Sequence, residues 1–121
     1  MSRRGLKQKV LALVLAVTKA GTFYTSSFPF HDLNGGAALF LISTAGSITV
    51  TQQCSLNDSD WYDPLDASGA AVGSVAAAVT VTTGRWVSYS PVFAPYVRFK
   101  IVEGNVAATN VSMQLLYQEE I

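Results

Sequence analysis

The sequence predicts an all-β fold, a single β-sandwich or jelly-roll-like domain of seven to eight short strands. Runs rich in Val, Thr and aromatic residues recur along it, and several alternate apolar and polar residues with period two. Turn-forming Gly, Asn and Ser clusters separate those runs at short intervals, as sandwiches require. With 121 residues the chain has room for one domain of common size. An N-terminal helical or extended arm over residues 1–20 precedes the sandwich, which occupies residues 21–121.

The arm opens with Ser2-Arg3-Arg4-Gly5-Leu6-Lys7-Gln8-Lys9 and runs into the apolar residues 10–17. A basic start and a short apolar run also begin a signal peptide. Thr18-Lys19-Ala20 makes a poor small-x-small cleavage site, however, and the run falls short of the roughly 20 residues that span a bilayer. Leu6, Val10, Leu13, Val14 and Val17 recur at helical spacing. The alternative is a first strand over residues 9–17, buried on both faces. The excess of Leu and Ala over β-branched residues favours the helix.

The body reads as strands. Residues 22–30 are Thr- and aromatic-rich, and Pro29 places them at a sheet edge. Turn chemistry follows from His31 to Gly36, then a fully apolar strand from Ala38 to Ile42. In residues 47–55, Ile48, Val50, Gln52 and Cys54 point one way and Thr49, Thr51, Gln53 and Ser55 the other. A short Gly-containing link joins these two strands, which predicts a hairpin. Residues 56–69 form a polar loop, with Trp61 expected as a core plug. Further strands are expected within 71–82, at 85–89, where Trp86 is half-buried, and at 111–117. In the strand at 96–102, Val97, Phe99 and Ile101 face the core, opposite Tyr96, Arg98 and Lys100.

Composition narrows the function classes. Half the residues are hydrophobic and only 13% are charged, against about 25% in a typical soluble domain. That balance suits a subunit that covers much of its surface with neighbours. The net charge is zero but unevenly placed: the first 19 residues hold five basic groups and no acid. The rest hold three basic groups against eight acids, a balance of −5. A basic segment on an acidic body docks onto an acidic partner or a sister subunit. Arg3, Arg4, Lys7 and Lys9 are therefore candidate protein-binding residues, joined by Tyr96, Arg98 and Lys100 on the polar strand face. Four clustered charges bind nucleic acid too weakly at physiological salt for that to be the expected partner.

Catalytic chemistry finds little support. His31 has a neighbouring acid, Asp32, but no accompanying nucleophile pattern. One Cys and one His cannot supply the usual zinc ligands from one chain. Asp58, Asp60, Asp63 and Asp66 crowd one loop, yet the glycine and distal glutamate of an EF-hand loop are missing. They read as a solvated turn with Asx hydrogen bonds. No phosphate-binding glycine loop occurs. The expectation is a non-enzyme without metal or cofactor. Lone Cys54, in a strand, reads as a small buried hydrophobe.

Three stretches then fall in a familiar order. Ser47-Ile48-Thr49-Val50-Thr51 precedes Ser55-Leu56-Asn57-Asp58-Ser59-Asp60-Trp61, and Tyr96-Val97-Arg98-Phe99-Lys100-Ile101 comes near the end. This layout resembles small virion proteins of tailed bacteriophages, in which an S-x-D-G-x-x-W loop links two sandwich strands. The likeness covers roughly residues 18–117. Ser55, Trp61, Tyr96 and Arg98 match, with an implied structural role, and Asn57-Asp58-Ser59 lacks the glycine. The resemblance implies a capsid cement or decoration protein of the phage head, made in the host cytoplasm. It would bind the major capsid protein or another virion protein, and itself as a trimer. A tail, baseplate or fibre module binding virion proteins or a host glycan is the alternative.

Overall fold

The computed structural model describes residues 6–17, 21–30, 33–43, 47–79, 84–103 and 109–120. These form two antiparallel sheets facing each other, a β-sandwich with no helix among the described residues. The strands are β1 (Leu6–Val17), β2 (Gly21–Tyr24), β3 (Phe28–Pro29), β4 (Leu33–Ser43), β5 (Ile48–Ser55), β6 (Ser74–Val79), β7 (Arg85–Tyr89), β8 (Tyr96–Glu103) and β9 (Thr109–Glu120). One sheet has the order β1-β9-β4-β7 and the other β2-β8-β5-β6, with β3 also on β8. The first sheet lies over the second with β1 above β2 and β7 beside β6.

The alternation read from the sequence sets the core. β8 alternates half-buried and buried along its whole length, placing Val97, Phe99 and Ile101 inside and Tyr96, Arg98 and Lys100 outside. Ile48 and Val50 from β5 join them, facing Leu39, Leu41, Val111, Met113 and Leu115 of the other sheet. Pro29 sits on the sheet edge, where its missing N–H costs no ladder bond. Between β2 and β3, Thr25 keeps the ladder closed: its N–H donates to the Phe99 carbonyl at 3.0 Å, and its Oγ1 accepts the Phe99 N–H at 2.9 Å.

Several expectations are corrected. Residues 6–17 are a strand, not a helix, paired with β9 from Leu6 opposite Glu120 to Val17 opposite Thr109. Pairing along that full length outweighs the weak helix preference of Leu and Ala. The predicted hairpin between residues 38–42 and 48–54 does not form, because β4 and β5 belong to different sheets. Both strands carry apolar core positions, and those positions meet face to face across the sandwich instead of edge to edge. The predicted turn at 31–36 gives way at Leu33, where β4 already begins. A register shift between Leu33 and Ala37 spans the two glycines, as at a bulge. His31 and Asp32 lie outside the described residues. Trp61 is only partly buried and lies on the outer face of the second sheet, so it is no core plug. Trp86 is 62% exposed, not half-buried, because β7 is an edge strand.

One end of the sandwich is closed by aromatic rings. Phe30 meets Phe28 edge-on at 5.7 Å between centroids and Tyr117 at 5.1 Å, while Tyr89 meets Phe99 at 6.2 Å. Such edge contacts add to the area that the rings bury. The Phe30 N–H donates to the Pro95 carbonyl at 3.1 Å, so the loop leading into β8 rests on this cluster.

Gly73 shows how tightly the chain is laid beside β5. It accepts the Gln52 N–H at 2.8 Å, and a Cβ there would stand 2.7 Å from Pro64 Cγ and 2.8 Å from the Gln52 carbonyl oxygen. Gly73→Ala is expected to lower the unfolding free energy by about 1–3 kcal/mol, the usual cost of overpacking. Urea denaturation followed by circular dichroism checks this, and an unchanged midpoint would contradict the close approach.

Candidate functional site

Two loops meet at the aromatic-capped end of the sandwich. The first leaves β5 at Ser55 and is pinched shut at once: the Cys54 N–H donates to the Tyr62 carbonyl, and the Tyr62 N–H to the Cys54 carbonyl, both at 3.0 Å. Within it Asn57 Oδ1 accepts the N–H groups of Ser59 and Asp60 at 3.0 and 2.9 Å and the Ser55 hydroxyl at 3.1 Å. These are the Asx hydrogen bonds expected of a turn. Asp58 has a φ of 61°, so it adopts the left-handed conformation in the position where the resembled motif carries glycine. Short polar side chains tolerate that conformation better than most.

The chain then makes a second excursion before β6. Asp66 Oδ1 accepts the Ser68 hydroxyl at 2.6 Å, the Ser68 N–H at 2.9 Å and the Ala70 N–H at 3.0 Å. The Ser68 hydroxyl, then the Ala70 and Ser68 N–H groups, hold this exposed carboxyl below its ordinary pKa. No group of three or more His, Cys, Asp or Glu side chains among the described residues is placed to hold a metal ion.

The whole segment is tied to the outer face of the second sheet by a polar relay. Gln53 Nε2 donates to Asp63 Oδ1 at 2.8 Å, and Arg98 Nε donates to Gln53 Oε1 at 2.8 Å. The Arg98 guanidinium lies 4.1 Å from the Tyr24 ring centroid and 4.5 Å from that of Trp61. Cation–π contact with two rings fixes the arginine and with it the loop. Gln53 and Ser55, assigned to the polar face, are buried for this reason: the loop covers them.

The second loop, residues 90–95, joins β7 to β8. Its anchor is Gln52, buried to 1% exposure. The side-chain amide grips the Val92 backbone from both sides, Nε2 donating to the carbonyl at 2.7 Å and Oε1 accepting the N–H at 3.1 Å. Between the loops lies an apolar groove of about 320 Å³, lined by Leu56, Tyr62, Phe93, Ala94 and Pro95, with Cys54 and Ser55 beneath. Its rim is unusually bare: Leu56 is 83% exposed, Phe93 71% and Tyr62 67%. Contiguous exposed apolar surface of this kind marks interaction sites. Burial in the groove raises the Cys54 thiol pKa, which the Gln52 hydrogen bond offsets only in part.

The seven residues singled out from sequence are not gathered in one place. Arg3 and Arg4 lie outside the described residues. Lys7 and Lys9 stand in β1, opposite Glu119 and Tyr117, while Tyr96, Arg98 and Lys100 share the outer face of β8 in the other sheet. Of the residues lining the groove, Cys54 and Ser55 were named from sequence, whereas Phe93, Ala94 and Pro95 were not. Their signal is present in Ser90-Pro91-Val92-Phe93-Ala94-Pro95, an uncharged apolar loop between two prolines, where a solvated loop would carry polar groups.

No family model matches the sequence, and the comparison with curated proteins gives no match. Among solved structures, a chain of the infectious bursal disease virus Gx strain superposes with a TM-score of 0.48 at 13% identity. The match covers 96% of this chain, which spans 32% of the viral chain's length. A protein of the Bacillus endospore appendages, a family of disulfide-linked pili, gives 0.48 at 15% identity, covering 96% and 90% of the two chains. The Yersinia pseudotuberculosis-derived mitogen gives 0.45 at 8% identity, covering 93% of this chain and 86% of the mitogen chain.

Replacing Gln52 with Leu would orphan the Val92 N–H and carbonyl under an otherwise intact core. The expected loss is about 2–3 kcal/mol of stability, from buried polar groups left unpaired. Chemical denaturation measures it, and a loss no larger than a few tenths would mean the loop is held elsewhere. Cys54 is expected to react with iodoacetamide more slowly in the folded than in the unfolded chain. Its rate should keep climbing above pH 9, because burial disfavours the thiolate.

Proposed function

We propose that this chain is a non-enzymatic structural protein that works by binding other protein subunits through the apolar groove at the end of its sandwich. The groove carries the reading: Leu56, Tyr62 and Phe93 stand exposed around it, on loops pinned by the Gln52 amide and the Asp63–Gln53–Arg98 relay. Rigid apolar side chains at a rim bind with little ordering cost. The low charge content supports the same reading, since it leaves few solvated ions to strip from a buried face.

The finer assignment follows the sequence resemblance. In that reading the chain is a virion protein of a tailed phage, a cement or decoration protein of the head. It associates with itself as a trimer and binds the major capsid protein. Among the described residues no helix is long and apolar enough to cross a membrane. Its contacts would be largely apolar and hydrogen-bonded, and so tolerant of salt, whereas contacts made by Arg3 and Arg4 would weaken as salt rises.

Light scattering on the purified chain and its Phe93→Asp variant tests the groove. The expected result is an oligomer, a trimer in the finer reading, that falls toward monomer when a carboxylate is placed at the rim. Phe93 is exposed, so the substitution leaves the core intact, and circular dichroism confirms the fold. An oligomer unmoved by Phe93→Asp and by Leu56→Asp would remove the groove from the interface.

A further inference from the structure

The Arg98 guanidinium is fixed by its own chain, yet part of it is left open. Its Nε donates to Gln53 Oε1 at 2.8 Å, and the Tyr24 and Trp61 rings cover its two faces at 4.1 and 4.5 Å. Neither Nη group makes a hydrogen bond among the described residues. What remains is the edge formed by the two Nη groups, a planar fork of donors that matches the two oxygens of a carboxylate. Lys100 stands two residues further along β8, on the same face, and has no ion-pair partner among the described residues. An arginine held in this way loses little freedom when an anion meets it.

The loop that lies on Arg98 also carries an unused acceptor. Of the four aspartates after β5, three are engaged within the chain. Asp60 Oδ2 accepts Asn57 Nδ2 at 2.8 Å, Asp63 Oδ1 accepts the Gln53 amide at 2.8 Å, and Asp66 Oδ1 accepts the N–H groups of Ser68 and Ala70. Asp58 is exposed, and its carboxylate has neither a hydrogen bond nor an ion pair among the described residues. To reach the arginine of its own copy it would have to break its own turn. Asn57 Oδ1 holds the Ser59 and Asp60 N–H groups, and the Cys54–Tyr62 hydrogen bonds close the base of the loop.

We propose that the Arg98 fork receives the Asp58 carboxylate of a second copy of this chain. Loop and fork lie on one face of the second sheet, so a two-fold axis between facing copies makes the contact twice. Asp58 of each copy then meets Arg98 and Lys100 of the other. This surface is separate from the groove, and the inference goes beyond the groove reading. Its charges stay near solvent, so the association is weak and sensitive to salt.

Sedimentation equilibrium of the full chain tests the contact, with Phe93→Asp run beside it to separate the two surfaces. A pair is expected in both, weakening in 1 M NaCl, where the Debye length is roughly 3 Å. Asp58→Asn keeps a residue that tolerates the φ of 61° and removes the charge. It should weaken the pair about tenfold, because two ion pairs near the upper end of the exposed range are lost. Asp58→Arg and Arg98→Glu each set like charges together and are expected not to pair. Their equimolar mixture is expected to pair again, joined by one native and one reversed contact. Circular dichroism checks the fold of Arg98→Glu, and Lys100→Glu takes its place in the mixture if that fold is lost. Association unchanged by Asp58→Asn or by salt overturns the proposal, as does a mixture that stays monomeric or a chain monomeric at millimolar concentration. If Phe93→Asp alone removes all association, the groove stands and this contact falls. If Asp58→Asn removes it and Phe93→Asp does not, this contact stands and the groove falls.

Discussion

The side-chain amide of Gln52 is the contact on which the exposed end of the molecule depends. It sits inside the sandwich, where an unpaired amide is costly, and its donor and acceptor both go to the backbone of Val92. The loop it holds links strands of opposite sheets, so the same pair of hydrogen bonds also fixes where β8 enters the second sheet. On the neighbouring residue the side chain points the other way. Gln53 ties Asp63 to Arg98 and so holds the loop after β5. Adjacent glutamines of one strand thus position the two walls of one groove from its two faces.

This arrangement accounts for a protein with few charges. The Gln52 and Gln53 amides carry internal polar connections together with the buried Glu103, whose Oε1 accepts the Ser47 N–H at 3.3 Å, and Arg98 is stacked between Tyr24 and Trp61. Among the described residues Asp58, Asp60, Asp63 and Asp66 crowd the loop after β5, while Glu103 lies in β8 and Glu119 and Glu120 in β9. The proposed protein-binding role rests on this rigid apolar rim beside the aspartate loop.

Most of the fold was legible because period-two patterns are local. β8 could be read residue by residue, β7 has the predicted bounds, and Pro29 announced its edge. What could not be read was pairing. The link after β4 has turn chemistry whether the next strand returns beside it or crosses to the other sheet, and nothing local tells these apart. The helical spacing of Leu6, Val10, Leu13, Val14 and Val17 was real in the sequence, yet β9, its partner strand, lies about a hundred residues away. The candidate site was less legible still. Arg98 was noticed as a polar outward residue, but its two ring partners come from β2 and from the loop after β5. Cys54 was read as a small buried hydrophobe, and it does pack against the core while also lining the groove.

The pairing of β1 with β9 has a consequence in time. Leu6–Val17 is synthesised about a hundred residues before its partner, Thr109–Glu120. At about 5–20 residues per second, an apolar strand waits roughly 5–20 s before its hydrogen-bond partner exists. During that interval β2, β3, β5, β6 and β8 can assemble the second sheet, because all of them precede β9. The first sheet cannot be completed until β9 has been made, since β9 lies between β1 and β4. Nascent chains therefore carry an unpaired apolar strand throughout that interval, and in a crowded polysome that strand is exposed to holdase chaperones and to its counterparts on neighbouring ribosomes.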